Sequence, residues 1–271
     1  MRFFTTLEKI LTASDPREKI ASFHAFYEAF LAGETAFEED HTPEIFTTPS
    51  FASFCTIVPA TTLPKRKSLS TPKGKAYLVH SIAHIEYSAI DLALDHCYRF
   101  KGMPEAYYHD WLEVAEEEVR HFQMLEEILK KLGYAYGDFP VHRFLFDISQ
   151  KTLNIVDRMA VVPRYLEASG LDASPQVIEK LKRIDDFLSR EIIQALEVIL
   201  EEEIDHVRKG DRWYRWACEK QKRDPAEYYT IVSRYLPGAT KEKHYVNVKS
   251  RKKAGFSCDE IRVISSQPCE E

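Results

Sequence analysis

Glycine is scarce in this chain, with 9 in 271 residues, and proline is limited to 13. That excludes a fibrous chain and argues against a loop-rich one. Long apolar runs are missing: no stretch reaches the roughly 18 consecutive apolar residues of a membrane-spanning helix. Met1-Arg2-Phe3-Phe4 reads as too short for a secretory signal, because charge returns at Glu8 and Lys9. An excess of positive charge is missing too. Against 43 Asp+Glu stand 37 Lys+Arg, a net charge of −6, which does not favour general nucleic-acid binding. Cysteine is sparse and irregular. Cys55, Cys97, Cys218, Cys258 and Cys269 are odd in number, and no two are spaced as Cys-x-x-Cys. The spacing argues against a disulfide framework or a zinc knuckle and predicts reduced thiols in a cytoplasmic protein.

What remains is a globular composition, 44% apolar and 30% charged, long enough for one large domain or two small ones. Ser14-Asp15-Pro16 reads as a helix start, followed by Ile20, Phe23, Phe26, Tyr27 and Phe30 at helical spacing and Gly33 as a stop. Residues 35–74 are rich in Thr, Ser and Pro and read as an irregular arm. Long helical patterns then follow over about 75–101, 105–132, 148–170 and 187–221. Pro163 is expected to kink or loosen the third, and Ser174-Pro175 to open a further helical stretch. Residues 134–147 read as a crossover. Two-residue alternation is scarce, so the expected fold is all-α: a four-helix bundle over 75–221, an N-terminal region 1–74 and a C-terminal extension 222–271. Beyond about residue 236 apolar periodicity fades, and whether the tail is ordered or mobile stays open at this level.

Each long helix carries a carboxylate on its apolar stripe, where an unpaired charge is very costly. These are Glu86, Glu118, Glu167 and Glu203. The second and fourth helices add His121 and His206, each three residues after its Glu and so on the same helix face. With 28 Glu and 10 His in the chain, about one Glu-x-x-His pair is expected by chance on a shared face. Three occur; Glu38 and His41 lie in the irregular arm and form the chance pair. The order Glu, Glu-x-x-His, Glu, Glu-x-x-His is more specific. Glu118 follows Glu86 by 32 residues and Glu203 follows Glu167 by 36, so each set can meet at one level of a helical hairpin, with one longer crossover between hairpins. Four carboxylates balance two divalent cations, and oxygen and imidazole donors without thiolate favour iron or manganese over zinc. The competing explanation is a set of buried Glu–Arg and Glu–His pairs, using Arg120, Arg164 and Arg208.

These segments, Ser81–Glu86, Glu117–His121, Arg164–Ala168 and Glu203–Val207, resemble the ferritin-like di-iron carboxylate superfamily. They are closer still to the bacterial domain-of-unknown-function family four-five-five. The resemblance covers roughly residues 70–215. It implies a ferritin-like four-helix bundle with one long crossover and two bound iron ions, with Mn/Fe or Mn/Mn as alternatives. It further implies that Glu118 and Glu203 bridge the metals, that Glu86 and Glu167 are terminal ligands, and that His121 and His206 bind one metal each. Glu117 and Glu202 are candidates to hydrogen-bond His206 and His121 respectively, with Asp205 as a rival.

Tyr87, Tyr165 and Tyr214 lie near the expected ligand level, as packing groups or as a radical site. His80 and His84 project to other helix faces and read as surface or second-layer groups. Ala83, Ala89, Ala93, Ala160 and Gly210 are small enough to leave room or to permit close packing. Lys65-Arg66-Lys67 with Lys73 and Lys75, and Lys241, Lys243, His244, Lys249, Arg251, Lys252 and Lys253, form two basic clusters. Both read as solvated runs, with RNA phosphate contact as the alternative. The functional expectation is an oxidoreductase that uses dioxygen or peroxide on a small-molecule substrate. It needs an external electron donor, because no flavin, haem or iron–sulfur motif is present. Alternatives are a non-catalytic iron-binding or peroxide-scavenging protein and a tRNA-modifying hydroxylase. Catalytic side chains and oligomeric state stay open at this level.

Overall fold

The structure is a computed structural model that describes residues 1–64 and 68–270. Lys65, Arg66 and Lys67 of the first basic cluster lie outside the described residues. The chain forms two compact units, Met1–Gln150 and Lys151–Glu271. It is all-α among the described residues, and the only strand-like pairings are two isolated bridges, Arg2 with Ala36 and Ile57 with Val141. Each unit is built on a helical pair of the kind found in four-helix bundles. Among the described residues no helix is long and apolar enough to cross a membrane.

In the first unit, α1 (Phe3–Thr12) and α2 (Pro16–Leu31) lead into the irregular arm, which holds two short 3-10 turns. The sequence reading missed α1, although Phe3, Phe4, Leu7, Ile10 and Leu11 recur at helical spacing and all five are buried. Asp15 caps α2 by accepting the N–H groups of Arg17 and Glu18. The long pair is α3 (Pro72–Arg99) and α4 (Glu105–Lys131). Thr71 caps α3 and Pro72 opens it. At Gly74 a Cβ would fall 1.9 Å from the Ser68 carbonyl oxygen, so no larger residue fits the start of this helix. The chain leaves α4 through Gly133 at φ +80°, with the Tyr134 N–H closing back on the Leu129 carbonyl. A short α5 (Phe144–Ser149) ends the expected crossover.

In the second unit, the expected third helix is interrupted. The sequence runs through α6 (Ile155–Val161), a π-helical turn over Val162–Glu167, and α7 (Ala168–Leu181). Pro163 supplies the reason: it has no N–H for the i−4 carbonyl, and the wider turn absorbs the ring. Pro175 does not open a new helix as expected but lies inside α7. The Leu171 carbonyl that it deprives of a partner instead accepts from Asn247 Nδ2 at 3.3 Å. The helix α8 (Phe187–Gln221) keeps the expected bounds, with Asp186 accepting the Ser189 N–H at its start.

In the C-terminal region one open question is answered and one expectation is corrected. The segment after residue 236 is folded rather than a free tail. Following α9 (Tyr228–Tyr235), it forms α10 (Val248–Lys253) and α11 (Cys258–Arg262), and buries Val246, Arg251, Phe256, Ile261 and Ile264. Its apolar residues are spread over short elements, so no long period betrays them. The reduced-thiol expectation holds for Cys55, Cys97 and Cys218 but fails for Cys258 and Cys269, which are disulfide-bonded. Burial and turn geometry bring that pair together, which spacing alone does not reveal.

Candidate metal centre

The first unit assembles three of the six sequence-derived ligands. Glu86 sits midway along α3 and is 4% exposed; Glu118 and His121 sit on α4 with no exposure. His121 Nδ1 lies 3.2 Å from Glu86 Oε2 and 3.4 Å from Glu118 Oε2. One ligand atom from each of the three falls within 4.8 Å of the other two. Burial by itself lowers the pKa of His121. Hydrogen bonds donated to Glu118 and Glu86, and then the charges of those two groups, outweigh burial and push it up to about 11. The physical content is that two buried carboxylates demand a cation between them. A proton on Nδ1 meets part of that demand, and a divalent metal in its place would meet it fully. The donor set therefore fits a hard or borderline divalent ion.

The second unit repeats the motif. Glu203 and His206 lie one turn apart on α8, with His206 unexposed and its Nδ1 3.8 Å from Glu203 Oε1. Glu167 is the last residue of the π-helical turn and is half-buried. At Gly210 a Cβ would meet the Pro163 ring at 2.8 Å, so this glycine lets the turn lie directly on α8. Gly210 is thus explained by packing.

Of the competing ion pairs, the Glu–His kind is present at His121, with Glu86 and Glu118. Arg164 pairs with Asp211 at 2.6 Å and Glu260 at 2.7 Å, and Arg208 pairs with Asp205. Asp205 also receives Lys209 at 3.1 Å, which occupies the rival to Glu202. Glu117 and Glu202 are half-buried. Glu38 accepts the Phe4 and Thr5 N–H groups at 2.9 Å each, and His41 Nε2 donates to the Tyr98 carbonyl, so their shared spacing is incidental.

The tyrosines near the ligand level are packed side chains. Tyr165 donates to the Ala239 carbonyl and Tyr214 to the Pro225 carbonyl. Tyr87 has no exposure, and its ring meets Phe54, Phe122 and Tyr136. Ala83, Ala89, Ala93 and Ala160 are buried. His80 and His84 are not surface groups, as one reading had them. Both are buried: His80 Nε2 accepts the Gly137 N–H at 2.9 Å, and His84 bonds Tyr136 and the His142 carbonyl.

Sequence reasoning missed Lys19. It is unexposed and pairs with Asp91 and with Ser50 Oγ at 3.0 Å. Burial lowers its pKa, and Asp91 opposes that shift. Its signal was available, because Lys19, Phe23, Phe26 and Phe30 share one helical stripe. Arg251 was also missed as a core residue. It forms a two-point contact with Asp172, with Nε and Nη2 at 3.0 and 2.7 Å, and Lys243 adds a third at 3.0 Å. Burial would raise the pKa of Asp172, but Arg251 and then Lys243 hold it below the ordinary range. Two members of the C-terminal basic cluster are therefore committed internally.

A family profile described as "Protein of unknown function (DUF455)" matches residues 12–262. An uncharacterized protein of Haemophilus influenzae is 36% identical over 272 residues, covering 96% of this chain and 92% of that protein. No solved structure matches significantly.

Proposed function

The chain belongs to the DUF455 family, and from that membership and its buried carboxylate–histidine cluster we propose that it is a ferritin-like di-iron oxidoreductase. The observation that carries the reading is the Glu86–Glu118–His121 group, whose ligand atoms converge in the interior. Burying carboxylates beside an imidazole is costly in a purely structural role, and a divalent metal would offset that cost, which supports the reading. The repeated Glu203–His206 pair and Glu167 supply the donors for a second ion. Pro163 lies against Gly210, so the turn that ends at Glu167 packs on α8, which supports Glu167 acting with Glu203 and His206.

Glu86, Glu118 and His121 would hold one ion, and Glu167, Glu203 and His206 a second. When bound, two iron ions would supply the electrons that reduce dioxygen or peroxide. Manganese in one or both positions fits the same donors. The residues themselves do three things. The carboxylates neutralise the metal charge and can change binding mode. His121 and His206 would each offer a ring nitrogen, which has to be unprotonated to bind a metal. The apolar packing around Ala83, Tyr87 and Phe122 excludes water. A small-molecule substrate and an external electron donor complete the proposal.

The test is metal content by mass spectrometry on untagged protein beside a Glu118→Ala/Glu203→Ala double variant. About two iron or manganese ions per chain are expected, lost in the variant. No transition metal after anaerobic ferrous loading overturns the reading. If two ions bind, oxygen uptake with a chemical reductant separates an oxidase from a storage protein.

A further inference from the structure

The C-terminal segment of the second unit is closed on itself by a covalent bond. Cys258, the first residue of α11, is joined to Cys269, eleven positions later. Cys258 is buried and Cys269 is half-exposed. The same short helix is fixed by a reciprocal cap, in which Ser257 Oγ accepts the Glu260 N–H and Glu260 Oε2 accepts the Ser257 N–H. The other oxygen of Glu260 reaches out of the loop and accepts from Arg164 Nη2 at 2.7 Å. Arg164 is unexposed. Its Nε is bound to Asp211, and its guanidinium carbon lies 4.0 Å from the Tyr228 ring centroid and 4.5 Å from that of Phe256. Arg164 belongs to the π-helical turn that ends at Glu167. A continuous set of contacts thus runs from the disulfide through Glu260 and Arg164 to the turn bearing a proposed metal ligand.

We propose that Cys258–Cys269 is a thiol–disulfide exchange site, opened by a dithiol reductant, and that its state sets how firmly Arg164 holds the turn carrying Glu167. The second clause rests on the metal reading above; the first does not. A thiolate of the reductant attacks Cys269 Sγ, the more exposed sulfur. The S–S bond breaks, a mixed disulfide forms, and Cys258 leaves as a thiolate and takes up a proton. The second thiol of the reductant then attacks its own bridged sulfur and releases Cys269, which is protonated in turn. Two electrons pass from the dithiol to the protein, and the reductant leaves as its disulfide.

Opening the loop restores chain entropy to the unlatched segment. For eleven residues this favours local opening by about a hundredfold. When α11 opens, Glu260 withdraws, and buried Arg164 keeps only Asp211 among its two carboxylate partners. The π-helical turn interrupts the α-helical ladder between α6 and α7 and carries Arg164 itself, so it is the element through which such a loss would be felt. Arg164 acts here as a positioning residue.

The test is hydrogen–deuterium exchange on the full metal-free chain, oxidised, reduced with dithiothreitol, and as a Cys258→Ser/Cys269→Ser variant. Amides of residues 258–269 are expected to exchange up to about a hundredfold faster when the bond is open, with a smaller acceleration across 162–167. Glu260→Gln with the disulfide intact should accelerate 162–167 alone. Unchanged exchange at 258–269 overturns the latch, and acceleration there without any at 162–167 overturns its connection to Arg164. Cobalt(II) bound to the oxidised protein and to the Ser/Ser variant reads the link to Glu167, and a changed visible spectrum is expected. An identical spectrum overturns that link. Failure of both forms to bind cobalt counts against the metal reading, and the exchange result still decides the latch.

Discussion

Acidification should detach the segment 134–142 from α3, and the size of the effect follows from two buried rings. His80 Nε2 accepts the Gly137 N–H, so it cannot carry a proton there. His84 Nε2 faces the His142 carbonyl, which can only accept, so its Nδ1 accepts the Tyr136 hydroxyl at 2.8 Å. Both rings are neutral as bonded. Burial pushes each down to about 4 from an ordinary 6.5, opposed at His80 by Asp138 and at His84 by the hydrogen bond to the His142 carbonyl. The unfolded chain therefore binds more protons between those values. This contribution to stability is complete above 6.5 and is lost as pH falls towards 4. At about pH 5 the loss is about 2 kcal/mol per ring. The assay is urea denaturation between about pH 8 and pH 5 of wild type and a His80→Gln/His84→Gln variant, because glutamine can accept a hydrogen bond without titrating. The stability difference between the two should change by about 4 kcal/mol over that range. Amide exchange at Gly137, corrected for intrinsic rates, should lose protection over the same interval. Parallel pH profiles, or unchanged Gly137 protection, would refute the reasoning.

Asp172→Ala leaves Arg251 and Lys243 facing each other in a buried site, and a loss of about 3 to 5 kcal/mol is expected from the urea midpoint; a loss below about 1 kcal/mol would show that the contact is well solvated. Gly210→Ala forces a methyl group to 2.8 Å from the Pro163 ring. It should cost about 1 to 3 kcal/mol, measured by thermal unfolding, because the nearest atoms are Pro163 Cβ and, at 3.1 Å, the Arg164 backbone nitrogen, so the turn itself must shift; a loss within about 0.5 kcal/mol would refute the close approach. Anaerobic ferrous iron at about a hundredfold its dissociation constant should raise the Tm by about 5 °C. The Glu118→Ala/Glu203→Ala variant should show no such rise, and an equal rise in both would mean binding elsewhere.

Helix positions were legible where burial is continuous over many turns. α3, α4 and α8 present one long apolar stripe each, so their spans can be read within a few residues. The stripe carboxylates were legible for the same reason, because charge on such a stripe is conspicuous. Legibility failed where several short segments share one core. The third helical pattern conceals a π-helical turn, because Pro163 is accommodated by wider winding and by the absence of a side chain at Gly210, 47 positions away. Pro175 looked like a helix start, and only Asn247 supplies the hydrogen bond that lets it sit inside α7. His80 and His84 looked peripheral because their partners, Gly137, Tyr136 and His142, lie in an aperiodic crossover.

The sequence by itself determined the all-α class, the long helical pairs and the candidate ligands Glu86, Glu118, His121, Glu167, Glu203 and His206. Periodicity is a local property, and three-residue spacing on a helix fixes a shared face without reference to anything else. Only the tertiary structure decided that Glu86 meets His121, that Arg251 is a core residue rather than a phosphate contact, and that Cys258 finds Cys269. Those outcomes depend on which distant groups share a buried space, and burial decides whether a charge is solvated, paired or available for a metal.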